Sequence, residues 1–164
     1  MNTTAMILSH VPSWVWALLA GLIALGLMQA RDQWLSAKRL RIVPAVFLAL
    51  GAWSTVSAFG WRGPVIAAFF IAMGLATRAV RATGWPGQAR YDAARALFHL
   101  PGSWVPMFLI LAIFVVKFGA GMALGLHPSW AGELDFAVPV AALYGALGAI
   151  FLARARNVLA LRQA

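Results

Sequence analysis

An all-α integral membrane bundle of five spans is the fold class this sequence predicts, and three observations predict it. Of 164 residues, 63% are apolar and 10% charged, whereas a soluble domain carries roughly 25% charged and about 45–50% apolar residues. The apolar residues run in continuous stretches and do not alternate, which suits helices and not the strands of a barrel. Basic residues gather in every second connection, as they do in a polytopic chain. With a mean hydropathy of +0.84, a lone soluble domain is excluded. So is a disordered chain, which needs low hydropathy and high charge. The absence of cysteine removes disulfides, thiolate metal sites and cysteine nucleophiles together.

A hydrocarbon core about 30 Å thick takes about 20 apolar helical residues to cross. In order, the candidate spans are Pro12–Gln29, Val43–Gly60, Pro64–Val80, Trp104–Leu126 and Ala137–Ala153. The stretch Met1 to Val11 has no Lys or Arg, and Met28-Gln29-Ala30 makes a poor cleavage site. The first span therefore reads as a retained helix and not a secretory signal. Arg31, Lys38, Arg39 and Arg41 follow it, and Trp34 and Leu35 among them suggest a short helix in the headgroups or an extension of span one. Trp61-Arg62-Gly63 is a tight turn that makes spans two and three antiparallel neighbours.

The segment 81–103 opens on Gly84-Trp85-Pro86-Gly87 and closes on Pro101-Gly102, both turn signals. Between them, Gln88–Leu100 forms either a short helix capped by Asp92 or a hairpin pairing Arg90–Asp92 with Leu97–His99. Ser103 reads as the N-cap of span four. Pro44, Pro64, Pro106 and Pro139 are each expected in the first turn of a span, where proline is tolerated.

Eleven of the thirteen basic residues fall on one membrane face, the exceptions being Arg62 and Lys117. By the positive-inside rule the N-terminus lies outside and the C-terminus in the cytoplasm. The net charge of +9 thus needs no nucleic acid; it holds topology and meets anionic headgroups. Trp14, Trp16, Trp34, Trp61, Trp85, Trp104 and Trp130 fall near the interfaces. Trp53 is mid-span, where its indole wants an acceptor or a neighbouring helix.

Arg90-Tyr91-Asp92-Ala93, Phe98-His99-Leu100-Pro101-Gly102-Ser103-Trp104-Val105-Pro106 and Ile113-Phe114-Val115-Val116-Lys117 resemble a family of small bacterial inner-membrane proteins of unknown function. Pro12-Ser13-Trp14-Val15-Trp16-Ala17-Leu18-Leu19 is similar too. The resemblance implies architecture and a bacterial source, with no activity attached. Members often have glycine within the stretch that reads here Ala94-Arg95-Ala96.

Lys117 is the first candidate for chemistry. It lies inside span four, about nine residues or roughly 13 Å from the outer end, and no span holds Asp or Glu. An ionisable residue at such depth costs on the order of 2.5–3.5 kcal/mol and is a functional-site hypothesis by default. Ser54, Thr55 and Tyr144 fall at its level, with oxygens to accept from the ammonium. Two readings stand: the lysine snorkels or binds backbone carbonyls, or it organises a carrier or channel for a small anion or proton.

His10 and His127 lie at the outer face near Glu133 and Asp135. They are weak metal or haem candidates, lacking ligand spacing. Serines without a base nearby and the lack of phosphate-cradling loops argue against an enzyme. Small residues four apart, Gly121 and Gly125, Ala141, Gly145 and Ala149, and Ala72 and Ala76, predict close helix contacts, mostly internal, with homodimerisation through Gly121 and Gly125 as the other use. The leading expectation is a non-catalytic inner-membrane protein without a cofactor. It binds lipid or a membrane-protein partner, with Arg78, Arg81, Arg90 and Arg95 as a cytoplasmic contact surface.

Overall fold

A computed structural model describes residues 13–162. Among them are five α-helices and one small sheet: α1 (Ser13–Gln29), β1 (Gln33–Ser36), α2 (Ala37–Phe59), α3 (Gly63–Ala82), β2 (Arg90–Asp92), β3 (Leu97–Leu100), α4 (Val105–Leu126) and α5 (Leu134–Ala160). A short 3-10 turn, Pro128–Gly132, joins α4 to α5. Four of the helices, α2 to α5, are long and apolar enough to cross a membrane; α1 is apolar but shorter. Pro12 and His10 lie outside the described residues.

Helix α5 is the hub. Both α3 and α2 pack principally on it, and only slightly on each other. The expected neighbourhood of spans two and three is therefore corrected: a tight turn joins them, but α5 takes most of the contact surface of each. The reason lies in side-chain volume. Ala137, Ala141, Gly145 and Ala149 recur on the buried face of α5, and small residues at this spacing let backbones approach closely. A Cβ on Gly145 would collide with the backbone carbonyl of Phe69 on α3. Around this approach Phe59, Val65, Phe69, Ala120, Val140 and Tyr144 form the main core. Helix α1 leans on α4 instead, with Gly26 receiving the side chain of Met107.

Gly121 and Gly125 on α4 meet nothing within 4 Å of a Cβ position, so among the described residues no helix packs on that stripe. Trp53 is 73% exposed and points out of the bundle, with neither an acceptor nor a covering helix among the described residues. Large apolar side chains such as Ile71, Leu75, Phe108 and Val115 face outward as well, as lipid-facing residues do.

At the end where the basic residues gather, the connection Arg31 to Arg41 is not an interfacial helix. Gln33–Ser36 is a strand, and it completes a three-stranded antiparallel sheet in the order β1-β3-β2. The second alternative for Gln88–Leu100 is the observed one: Arg90, Tyr91 and Asp92 pair with His99, Phe98 and Leu97. Asp92 caps the hairpin turn and not a helix, accepting from the N–H groups of Ala94 (2.9 Å) and Arg95 (3.2 Å). Phe98 and Leu100 turn inward onto Leu40, Ala89 and Val158. Trp34, Arg90 and His99 share the other face, since strand side chains alternate.

Ser36 ends β1 and opens α2, its hydroxyl accepting from Arg39 N–H at 3.3 Å. The helix thus begins six residues earlier than the apolar run, and Pro44 sits inside it. Likewise α5 starts at Leu134, which leaves Pro139 inside the helix; Pro64 and Pro106 do occupy first turns. Ser103 stands one residue before the cap position of α4, accepting from Val105 N–H at 3.3 Å.

Two substitutions test this packing in detergent thermal unfolding. Gly145→Val lowers Tm, at a cost on the order of 1–3 kcal/mol, because the new side chain meets backbone and not a flexible tip. Ala96→Gly raises Tm. Ala96 holds φ 52°, a left-handed conformation costing a non-glycine residue roughly 1–2 kcal/mol, of which glycine's chain entropy returns about 0.5–1.

Candidate functional site

Helix α4 carries Lys117 to the middle of the bundle, facing α2. Its Nζ donates to Ser54 Oγ and to the Leu50 carbonyl (3.4 Å). It also stands 4.7 Å from the centroid of the Tyr144 ring. Of the expected partners, Ser54 accepts from the ammonium. Tyr144 takes part through its ring face and not its oxygen, a cation–π contact. Thr55 does not take part: it is 1% exposed, and its hydroxyl donates at 2.9 Å to the Gly51 carbonyl one turn back. One residue along a helix is about 100° of rotation, so two adjacent hydroxyls cannot both face α4.

The acceptors around Lys117 are neutral. The four carboxylates, Asp32, Asp92, Glu133 and Asp135, lie in connections or in the first turn of α5. Among the described residues none forms an ion pair with Lys117. The ammonium therefore has hydrogen-bond partners but no countercharge.

Beside it opens a cavity of about 580 Å³ between α1, α2 and α4. Val15, Leu22, Phe47, Ile113, Phe114 and Met122 contribute to an almost wholly apolar wall, and among the described residues Lys117 is the one charged side chain on it. Gly121 also lines it, so the small residue expected to pack against a helix here leaves room instead. The cavity exists because α1 pairs with α4 while α2 is drawn toward α5. Nothing in the spacing of apolar residues signals it.

The remaining candidates separate. Arg78 and Arg81 are exposed in the last turns of α3, and Arg90 and Arg95 are exposed on the hairpin. Arg95 lies 3.8 Å from Asp92 and over the ring of Trp34 at 5.5 Å. All four belong to the basic end, but among the described residues no hydrogen bond or stacking contact gathers them into one site. His127 stacks on Trp130 at 4.6 Å in the 3-10 turn. Among the described residues no group of three His, Asp or Glu side chains can hold a metal, and His10 lies outside them.

Arg62, the lone basic residue of the opposite end, is a clamp. It donates to the carbonyls of Phe59 (2.8 Å), Gly132 (2.8 Å) and Ala131, tying the α2–α3 turn to the 3-10 turn. His99 Nε2 lies 3.6 Å from Asp32, whose other oxygen accepts from Gly102 N–H at 2.8 Å. This joins β3 to the end of α1. The sequence offers no signal for that pair, because 67 positions separate its members.

A protein-family model described as a family of unknown function (DUF6622) matches residues 2–164. No curated protein and no solved structure matches the chain.

Lys117→Met separates a stabilising role of the lysine from another one. Intramembrane hydrogen bonds average about 0.6 kcal/mol each, less in sum than the roughly 2.5–3.5 kcal/mol that a lysine at depth costs. The variant is expected to unfold at the same or a higher Tm, read by intrinsic fluorescence; a clear fall would make the lysine a structural tie.

Proposed function

The chain belongs to a family of unknown function, and from its own residues we propose that it is a non-catalytic bacterial inner-membrane protein. In this reading the N-terminus is outside, the C-terminus is cytoplasmic, and the protein binds an anionic, single-chain amphiphile beside Lys117. The observation that carries the reading is the apolar cavity of about 580 Å³ with one cation on its wall. Its volume lies within the roughly 300–1,000 Å³ of ligand sites, which are typically apolar with a few polar groups fixing orientation. A hydrocarbon chain fits the Leu, Ile, Phe and Met lining. A carboxylate or phosphate at its head supplies the countercharge that Ser54, Leu50 and Tyr144 do not. A partner helix would rest on a ridged surface and leave a concave wall unfilled.

Orientation rests on the basic end. Exposed Arg78, Arg81, Arg90 and Arg95 lie there together with Arg31, Lys38, Arg39 and Arg41, as expected of a cytoplasmic face in contact with anionic headgroups.

Native mass spectrometry of the detergent-solubilised protein with oleate and with oleyl alcohol tests the reading. The unmodified protein is expected to retain one oleate, and Lys117→Met to lose about tenfold or more of that affinity, as removal of a charged contact predicts. Gly121→Phe, which has open space for its side chain, should exclude both compounds. Equal retention of oleate by all three proteins would sink the reading.

A further inference from the structure

A second cavity lies under the sheet, at the basic end of the bundle and away from Lys117. Its walls come from the end of α1, from β1, from the start of α2 and from the last turns of α5. The volume is about 80 Å³, several times the roughly 10–15 Å³ that one water needs. Arg154 reaches into it from α5. One face of its guanidinium lies on the Trp85 ring, 5.1 Å from the centroid. Trp85 is held in place by Asn157, which donates to its carbonyl at 2.9 Å. Arg154 Nε is buried and meets no acceptor, and no carboxylate pairs with the group among the described residues.

A buried N–H without an acceptor is costly, since it has lost water and gained nothing in return. The rest of the lining suggests what compensates it. Arg39 adds a second positive charge, and Gln29 and Gln33 add amide donors. Val43, Pro44 and Phe151 add apolar wall. Two arginines and two amides with no acid among them are chemistry for a tetrahedral oxyanion: the planar guanidinium fork matches two phosphate oxygens at once. The cavity also sits where α1 ends and the apolar run of α2 begins, at the level of a headgroup. Basic pockets between helices at this depth suit phosphate-bearing headgroups.

We infer that the Arg154 cavity binds a phosphate group, with Arg154 and Arg39 as its charged partners and Gln29 and Gln33 as donors. The site is separate from the Lys117 cavity, and its occupant is fixed by the phosphate and not by chain length. Either a phospholipid headgroup or free phosphate offers that group.

The test is native mass spectrometry of the full chain titrated with phosphatidylglycerol, with diacylglycerol of the same chains and with inorganic phosphate. The expected result is one phosphatidylglycerol bound and no diacylglycerol at this site. Affinity falls about tenfold or more in Arg154→Gln and severalfold in Arg39→Gln. It stays unchanged in Arg162→Gln, an exposed control. Competition by millimolar phosphate would identify free phosphate as an accepted source; failure to compete would assign the site to lipid. Equal binding of diacylglycerol, or undiminished phosphatidylglycerol binding in Arg154→Gln, overturns the inference. Should Arg154→Gln not fold, Arg39→Gln decides, and unchanged affinity there overturns it as well.

Discussion

The close approach of α3 and α2 to the small-residue face of α5 is the contact on which the remaining geometry depends. In a hydrocarbon medium helices gain little from burying apolar surface, because lipid tails are as apolar as leucine. What brings them together is contact area, and that requires backbones to come near. Gly145 beneath Phe69, with Ala137, Ala141 and Ala149 along the same face, permits it. Elsewhere large apolar side chains face outward, Leu50, Ile71, Leu75 and Phe108 among them.

One consequence is an asymmetric bundle. Helices α2, α3 and α5 close tightly, while α1 and α4 form a pair that meets this trio less extensively. The cavity beside Lys117 lies along that seam. A lysine there is bonded by Ser54 and Leu50 on one side and faces apolar side chains on the other. Its charge is the feature that packing does not answer.

The basic end is organised by different means. Backbone pairing between β1 and β3 ties the exit of α1 to the hairpin. Gly102 N–H on Asp32, Ser103 N–H on the Gln29 carbonyl (3.3 Å) and Asn157 on Trp85 add polar ties between segments. Gly102 is required where it stands, since a Cβ there would strike the carbonyl of Ala30. These ties hold a cap whose inner face is apolar, with Arg154 on the helix beneath it.

Composition and local pattern alone determined the helical membrane class, the positions of the apolar runs to within a few residues at most ends, the turn at Trp61-Arg62-Gly63 and the oddity of Lys117. Each is a property of consecutive residues, and solvent sorts consecutive residues without reference to the fold. The hairpin at 90–100 was legible only as one of two choices, because six paired residues are too few for a period to declare itself. Ser54 was legible by depth, whereas Thr55 was misplaced because depth says nothing about rotation around a helix. The third strand, the Asp32–His99 pair, the Arg154 cavity and the groove between α1, α2 and α4 were decided by tertiary structure alone. They depend on which helix wins the small-residue face of α5, and that is a competition between surfaces far apart in the chain.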